Sequence, residues 1–476
     1  MNAQIVKLFG LVVVLYALLL GFTSYWSVFD AGDLKANTAN RRPLLEEQRI
    51  HRGKILASDG SVIAHSIPEG QGQNTIYVRR YPQGSLFGNP IGYNFVQRGR
   101  VGFELSHNDE LVGNKTEFLS LLDQIQGHKQ EGDNVTSALD PAAQRLATDE
   151  LAGLRGSVVA IVPDTGEVRA MVSVPTYDPN LVPNHYQQLN TDPSAPLFNR
   201  ATQACYPPGS TMKVVTATAA LDSGELTPDS VLSGASPQVC GGVPLSNAGG
   251  EQFGDIDMTT ALTNSVNTYW CQVGEKLGKD TMFKYMDRYG FNQKPRLDYP
   301  GFQLSSSGVF DDRGQLLDAG DPIDIGRVAI GQERLLVTPL QMAEVAATVA
   351  NGGELMEPRL WSKVTDPDGR IDRLNPERQD RVMSEDTANI LTQMMTDVVN
   401  EGTGTAAALS GINVAGKTGT AELDPAAGIN QAWFIGFAPA EDPQIAVAVT
   451  VERTTGFGGP TAGPIARDVM ETILNG

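Results

Sequence analysis

The sequence is short of histidine and cysteine, carries little charge for its length, and contains no repeats or low-complexity tracts. The five histidines, His51, His65, His107, His128 and His185, all lie in the first half of the chain, and none has a recognisable catalytic setting. A hydrolase built on serine and histidine would need one of them to return across the fold, so a serine nucleophile here calls for a different base. Three cysteines, Cys205, Cys240 and Cys271, allow at most one disulfide, with all three pairings open. Their spacing forms no metal site, and no cofactor is expected. Charged residues make up 19% of the 476 and the net charge is −19, which argues against nucleic acid or an anionic membrane surface as the main partner. Long apolar runs are scarce as well. One stretch, residues 8–29, has no charged residue and centres on the apolar run 11–20.

That stretch is long enough to cross a bilayer. A cleaved signal peptide has a shorter apolar region and ends in a small-x-small site; Phe29-Asp30-Ala31-Gly32 does not supply one, and Tyr25 and Trp26 have the character of an interfacial anchor. The reading is an uncleaved single-pass anchor with Lys7 on the cytoplasmic side and the chain from about Asp30 outside. The length of the remainder leaves room for two or three domains.

The chemistry concentrates in three short motifs. In Tyr206-Pro207-Pro208-Gly209-Ser210-Thr211-Met212-Lys213 the prolines and glycine end the preceding element, and the apolar run after Lys213 has helical composition. Ser210 therefore belongs at a helix start with Lys213 on the same face. A serine hydroxyl needs a base to take its proton, and a lysine in an apolar wall can be neutral enough to serve. Ser265-Val266-Asn267 and Lys417-Thr418-Gly419-Thr420 follow in order. Ser-x-Asn alone is a cheap pattern, since Ser106-His107-Asn108 also fits and reads as a surface turn. Lys-Thr-Gly arises by chance only about once in ten such chains. Ser-x-x-Lys, Ser-x-Asn and Lys-Thr-Gly in that order resemble the signature of the class A β-lactamases and penicillin-binding proteins.

Elsewhere the chain punctuates clearly. Residues 30–48 read as a polar stalk, 50–64 as a hairpin about Asp59-Gly60, 117–126 as a short helix, and 140–151 as a better one opening on Asp140-Pro141. Residues 157–173 make a second hairpin about Pro163-Asp164-Thr165-Gly166. Helical patterns dominate from Ser210 to about Asn351, notably 256–277 and 335–351, and recur at 384–399 and 464–474; strand patterns occupy 412–420, 432–437 and 444–451. Strands at both ends with helices between imply an α/β (α+β) sheet assembled from distant parts of the chain.

With these motifs the chain resembles the class B penicillin-binding proteins, most nearly the short, membrane-anchored A type of actinobacteria. The likeness runs through Val174-Pro175-Thr176-Tyr177-Asp178-Pro179-Asn180, Gly331-Gln332, Thr338-Pro339, Asn351-Gly352-Gly353, Gly402-Thr403-Gly404-Thr405-Ala406 and Trp433-Phe434-Ile435-Gly436, and through Arg52-Gly53 and Gly99-Arg100-Val101-Gly102-Phe103-Glu104 in the N-terminal region. Ala57-Ser58 departs from the Asp-Arg usual in the family, so the salt bridge made there is not expected. The resemblance implies a cytoplasmic tip and anchor over 1–29, a stalk and small, mostly β pedestal domain over 30–152, and a transpeptidase domain of the penicillin-binding and β-lactamase-like fold over 153–476. It implies D,D-transpeptidation of peptidoglycan stem peptides, acylation by β-lactam antibiotics, and a multi-pass membrane glycan polymerase as partner. Ser210 would be the nucleophile, Lys213 its base, Ser265 the proton donor to the leaving amine and Lys417 a source of positive field. Asn267, Thr418, Gly419 and Thr420 would hold substrate, and the backbone N–H groups of Ser210 and Thr420 would form the oxyanion hole.

Two other functions share parts of this pattern. A serine β-lactamase needs a means to hydrolyse its acyl-enzyme, in class A a glutamate in Glu-x-x-x-Asn between the second and third motifs. The match there, Glu385 to Asn389, follows Ser384 and reads as a helix start, while Glu471 to Asn475 lies outside that window. A catalytically silent scaffold or sensor would lack an intact motif or carry several membrane helices.

Overall fold

The computed structural model describes residues 2–26, 42–113 and 130–476; most of the expected stalk and the helix expected at 117–126 lie outside them. Near the N-terminus, Asn2–Ser24 is one helix. Its span Gln4–Ser24 is the one helix among the described residues that is long and apolar enough to cross a membrane.

The main sheet has five antiparallel strands in the order Ala415–Asp424, Ile429–Ala438, Ile445–Thr454, Gly156–Ile161, Val168–Val174. Its strands are apolar on both faces, as a sheet covered on both sides requires. Successive side chains alternate in direction. Val158, Ala160, Phe434, Val447 and Val449 therefore share one core with Ala143 and Ala147 of helix Pro141–Glu150 and with Ala462, Ala466 and Val469 of helix Gly458–Asn475. Val159, Ile161, Trp433, Ile435 and Ala448 join the other core, with Val214 and Val215 of helix Lys213–Asp222, Tyr269 and Trp270 of helix Asn267–Arg288, and Leu340 and Ala343 of helix Pro339–Ala350.

The expected hairpins about Asp59-Gly60 and residues 163–166 are present, as Ile55–Leu56 with Val62–Glu69 and Gly156–Ile161 with Val168–Val174. The helix pattern at 256–277 resolves differently. Met258–Thr263 ends at Asn264, a turn follows, and a new helix starts at Asn267. Asp257 caps the first of these through its side chain, which fixes its start and leaves the break two residues before Asn267.

A second sheet of six strands runs in the order Ile371–Arg373, Trp361–Thr365, Asn134–Ser137, Ile55–Leu56, Val62–Glu69, Ile76–Arg80. Two of its strands come from the far side of the nucleophile in sequence. The expected division at 152/153 also runs between packed parts: helix Pro141–Glu150 lies on the five-stranded sheet, with the Gln144 side chain donating to the Met171 carbonyl and accepting from the Met171 N–H.

Beside the six-stranded sheet lies a buried ion cluster. Glu104 accepts from Arg52 Nε at 2.8 Å and from Arg79 Nε at 2.5 Å, and Tyr81 donates its hydroxyl to the same carboxylate. Burial disfavours the Glu104 charge, but the two guanidinium groups outweigh it and hold the carboxyl below its ordinary value. Removing one partner of such a buried group costs about 3–5 kcal/mol, so the cluster fixes how these N-terminal segments meet. Ser106-His107-Asn108 is no surface turn at its centre. His107 is buried, with Nε2 3.0 Å from the Asp298 carboxylate, which also accepts from the Leu360 and Trp361 N–H groups.

Candidate active site

Ser210 is half-buried in the 3₁₀ turn Gly209–Met212, and Lys213 opens the helix Lys213–Asp222 that continues from it. Side chains three apart in such a turn share a face, which gives Ser210 and Lys213 the same side. The turn is tight because of its neighbours. Gly209 adopts φ +53° and donates its N–H to the Gly331 carbonyl, and a Cβ on Gly331 would lie 1.8 Å from the Gly209 carbonyl oxygen. No other residue fits there.

Ser265 sits in the break between the helices Met258–Thr263 and Asn267–Arg288, at φ +58°. Few non-glycine residues adopt that conformation, and where they do the surroundings enforce it. Here it turns both the carbonyl and the hydroxyl of Ser265 toward Lys213. Lys213 Nζ donates to the Ser265 carbonyl at 2.7 Å and to Asn267 Oδ1 at 2.7 Å, with Ser265 Oγ 3.2 Å away. Asn267 is held in turn, its Nδ2 donating to the Ser246 carbonyl at 3.2 Å.

Lys417 comes from the edge strand Ala415–Asp424. Strand alternation gives it the same side as Ala415, whose side chain joins the core of helix Lys213–Asp222. Its Nζ donates to Ser265 Oγ at 2.9 Å and to the Thr418 carbonyl at 3.0 Å. The three motifs thus meet in one chain, Lys213 to Ser265 to Lys417. Thr418 and Thr420 alternate to the opposite side: Thr418 Oγ1 lies 2.7 Å from Thr403 Oγ1, and Thr420 Oγ1 accepts from the Gly458 N–H.

Gly419 has a further reason to be glycine besides the open strand edge. A Cβ there would stand 2.6 Å from the Pro208 carbonyl oxygen and 2.9 Å from Thr211 Cγ2. The absent side chain lets the nucleophile's turn seat against the strand.

Both lysines are fully buried. Burial pushes the Lys213 amine well below the ordinary lysine value, and the charge of Lys417 pushes it the same way. Burial lowers Lys417 to about 7. A single proton on the pair therefore favours Lys417. Neutral Lys213 then spends its two hydrogens on the Ser265 carbonyl and Asn267 Oδ1 and retains a lone pair, which is the state of a base.

Comparison with known proteins gives the family. The model of the penicillin binding protein transpeptidase domain matches residues 156–471, and that of the penicillin binding protein A dimerisation domain matches residues 52–135. The chain belongs to the penicillin-binding protein transpeptidase family. Peptidoglycan D,D-transpeptidase PbpA of Mycolicibacterium smegmatis is 34% identical over 502 residues, covering 100% of this chain and 99% of the relative. The protein of that name from Mycobacterium tuberculosis is 34% identical over 505 residues, covering 100% of each. Among solved structures, penicillin-binding protein A from M. tuberculosis as its ceftriaxone acyl-enzyme superposes with a TM-score of 0.81 at 32% identity, over 90% of this chain and 100% of that one. The D,D-transpeptidase domain of a peptidoglycan glycosyltransferase from Eggerthella lenta gives a TM-score of 0.78 at 32% identity, over 90% and 99%.

As a member of this family the chain carries supporting residues to which the motifs alone assign no part. Gly331 and Thr403 belong to segments that carry the resemblance, yet their contacts with Gly209 and Thr418 emerge only in three dimensions. Ser246 and Asn247 had no signal. They follow the ribbon Gln238–Cys240 and Val243–Leu245, and Asn247 Oδ1 accepts from the Thr268 N–H at 3.0 Å. A disulfide between Cys240 and Cys271 ties this ribbon to the helix that Asn267 begins, and Cys205 is free.

Proposed function

We propose that the protein is a peptidoglycan D,D-transpeptidase, acylated by β-lactams at Ser210, with its catalytic domain outside the membrane. The observation that carries this reading is the hydrogen-bonded chain that runs from buried Lys213, three residues after Ser210, through half-buried Ser265 to buried Lys417. Ser210 Oγ attacks the penultimate D-Ala carbonyl of a stem peptide while Lys213 takes its proton. The N–H groups of Ser210 and Thr420 receive the oxyanion, a role supported by how closely Gly209 abuts the Thr420 carbonyl. The C–N bond breaks as Ser265 passes a proton to the leaving D-Ala nitrogen, a proton it recovers from Lys213. An amine of a neighbouring stem then attacks the ester carbonyl, its proton returns by the same route, and Ser210 leaves with its hydrogen restored. Lys417 supplies positive field throughout; Asn267, Thr418, Gly419 and Thr420 hold the substrate, the threonine hydroxyls on its carboxylate.

The family's β-lactamase alternative needs a group that activates water on the acyl-enzyme. Glu385 is exposed in the first turn of the Ser384-capped helix Glu385–Asn400, Asn389 is exposed one turn on, and Glu471 lies exposed on the last helix. The adduct with penicillin is therefore expected to persist. Turnover of penicillin faster than about 1 per second, an ordinary enzymatic rate, would move the protein to the β-lactamase class.

In this reading residues 1–29 hold the chain in the membrane, 30–152 form the stalk and pedestal, and 153–476 form the transpeptidase domain. The apolar helix Gln4–Ser24 supports the anchor. Protease added to intact spheroplasts should remove the large domain and leave a short membrane-bound fragment; release of a protein beginning near residue 30 would identify a signal peptide instead. The glycan strands come from a separate multi-pass membrane polymerase, which a pull-down through the anchor and pedestal would identify.

A further inference from the structure

We propose that Thr403 is a positioning residue, its hydroxyl donating to Thr418 Oγ1 and so turning the Thr418 hydrogen toward the carboxylate of the bound ligand; this deepens, and rests on, the substrate role given to Thr418 above. The two hydroxyl oxygens lie 2.7 Å apart, and either could donate. A hydroxyl has one hydrogen and two lone pairs. A carboxylate offers lone pairs only, so Thr418 must donate to it, and Thr403 must then donate to Thr418. Ligand binding selects one of two polarities of an existing bond, and the donated hydrogen bond makes Thr418 the stronger donor.

Thr403 is placed for this by both of its neighbours in the site. Its N–H donates to the Thr263 carbonyl at 3.3 Å, two residues before Ser265, and its hydroxyl reaches the residue after Lys417. It therefore bridges the corner that carries the second motif and the strand that carries the third. A surface hydroxyl pair with no function would have no reason to span those two elements. Thr418 is only 6% exposed, whereas Thr403 is exposed, so Thr403 can be substituted at little risk to the fold.

The experiment is a double-mutant cycle on the full chain in detergent, following acylation by benzylpenicillin and resolving the ligand dissociation constant from the acylation rate constant. Thr403→Val should weaken penicillin binding roughly three- to tenfold, the size of one neutral hydrogen bond, with the acylation step changed less than about twofold. Thr403→Ala should match it, and Thr403→Ser should restore binding. In a Thr418→Val background Thr403→Val should have no further effect, because the residue acts through Thr418. Equal losses in both backgrounds, a loss confined to the acylation step, or no loss at all overturns the proposal. Absence of any Ser210 adduct in the unmodified protein would instead remove the reading of the site on which it rests. Unchanged melting temperatures for the valine and alanine variants separate these results from misfolding.

Discussion

Ser210→Ala is expected to abolish labelling by fluorescent penicillin and to lower acylation by at least about 10⁴-fold, the scale seen when a covalent nucleophile is removed. Ser210 stands three residues before Lys213, in the turn that leads into its helix, while Ser265 is already engaged by both lysines. Mass spectrometry of the unmodified protein should place one penicilloyl group on the peptide that contains Ser210. An adduct that survives in the alanine variant, on Ser265 or on either lysine, would transfer the nucleophile elsewhere.

Lys213→Ala should cost about 10²–10⁴-fold in the acylation rate, the range for loss of a positioned base, and the pH dependence should show why. Acylation needs Lys213 neutral and Lys417 charged. As pH falls, protonation of Lys213 removes the base, at a pH well below that of free lysine because burial and Lys417 both depress it. As pH rises through about 7, Lys417 loses the proton that burial already destabilises. The rate profile should be a bell, and its two apparent values belong to the coupled pair. A rate that climbs steadily to alkaline pH would mean that the charge on Lys417 is not used. Stability should move the other way on the alkaline side. Between about 7 and the ordinary lysine value the unfolded chain binds the Lys417 proton and the folded chain does not, so folding gains as pH rises through that window and loses as it falls.

The turn at Ser210 and the strand at Lys417 were legible because local rules decide them. Prolines and a glycine stop one element, an apolar run starts the next, and strand alternation aims every second side chain. The break at 264–266 was not legible, because nothing local forbids a helix through Asn264-Ser265-Val266. What holds Ser265 at positive φ is the set of partners brought by distant elements, the Lys213 amine above all. The same limit applies to Gly331, Ser246 and Thr403, whose work is done on residues more than ten positions away in sequence. His107 shows the converse error: a polar tripeptide with the look of a turn is anchored from within by Asp298.

The exchange of strands between the two halves bears on the order in which the chain can mature as it emerges from its N-terminal end. Asn134–Ser137 pairs on one side with Trp361–Thr365, and Gly156–Ile161 pairs on one side with Ile445–Thr454. Both early strands must wait for partners made more than two hundred residues later, and until then each presents an unpaired edge, the hazard that promotes wrong pairing between chains. Contacts of such long sequence separation form slowly. The six-stranded sheet cannot close on a nascent chain that stops before residue 361, nor the five-stranded sheet on one that stops before residue 445, so neither half of the protein reaches its final state until most of the chain has been made.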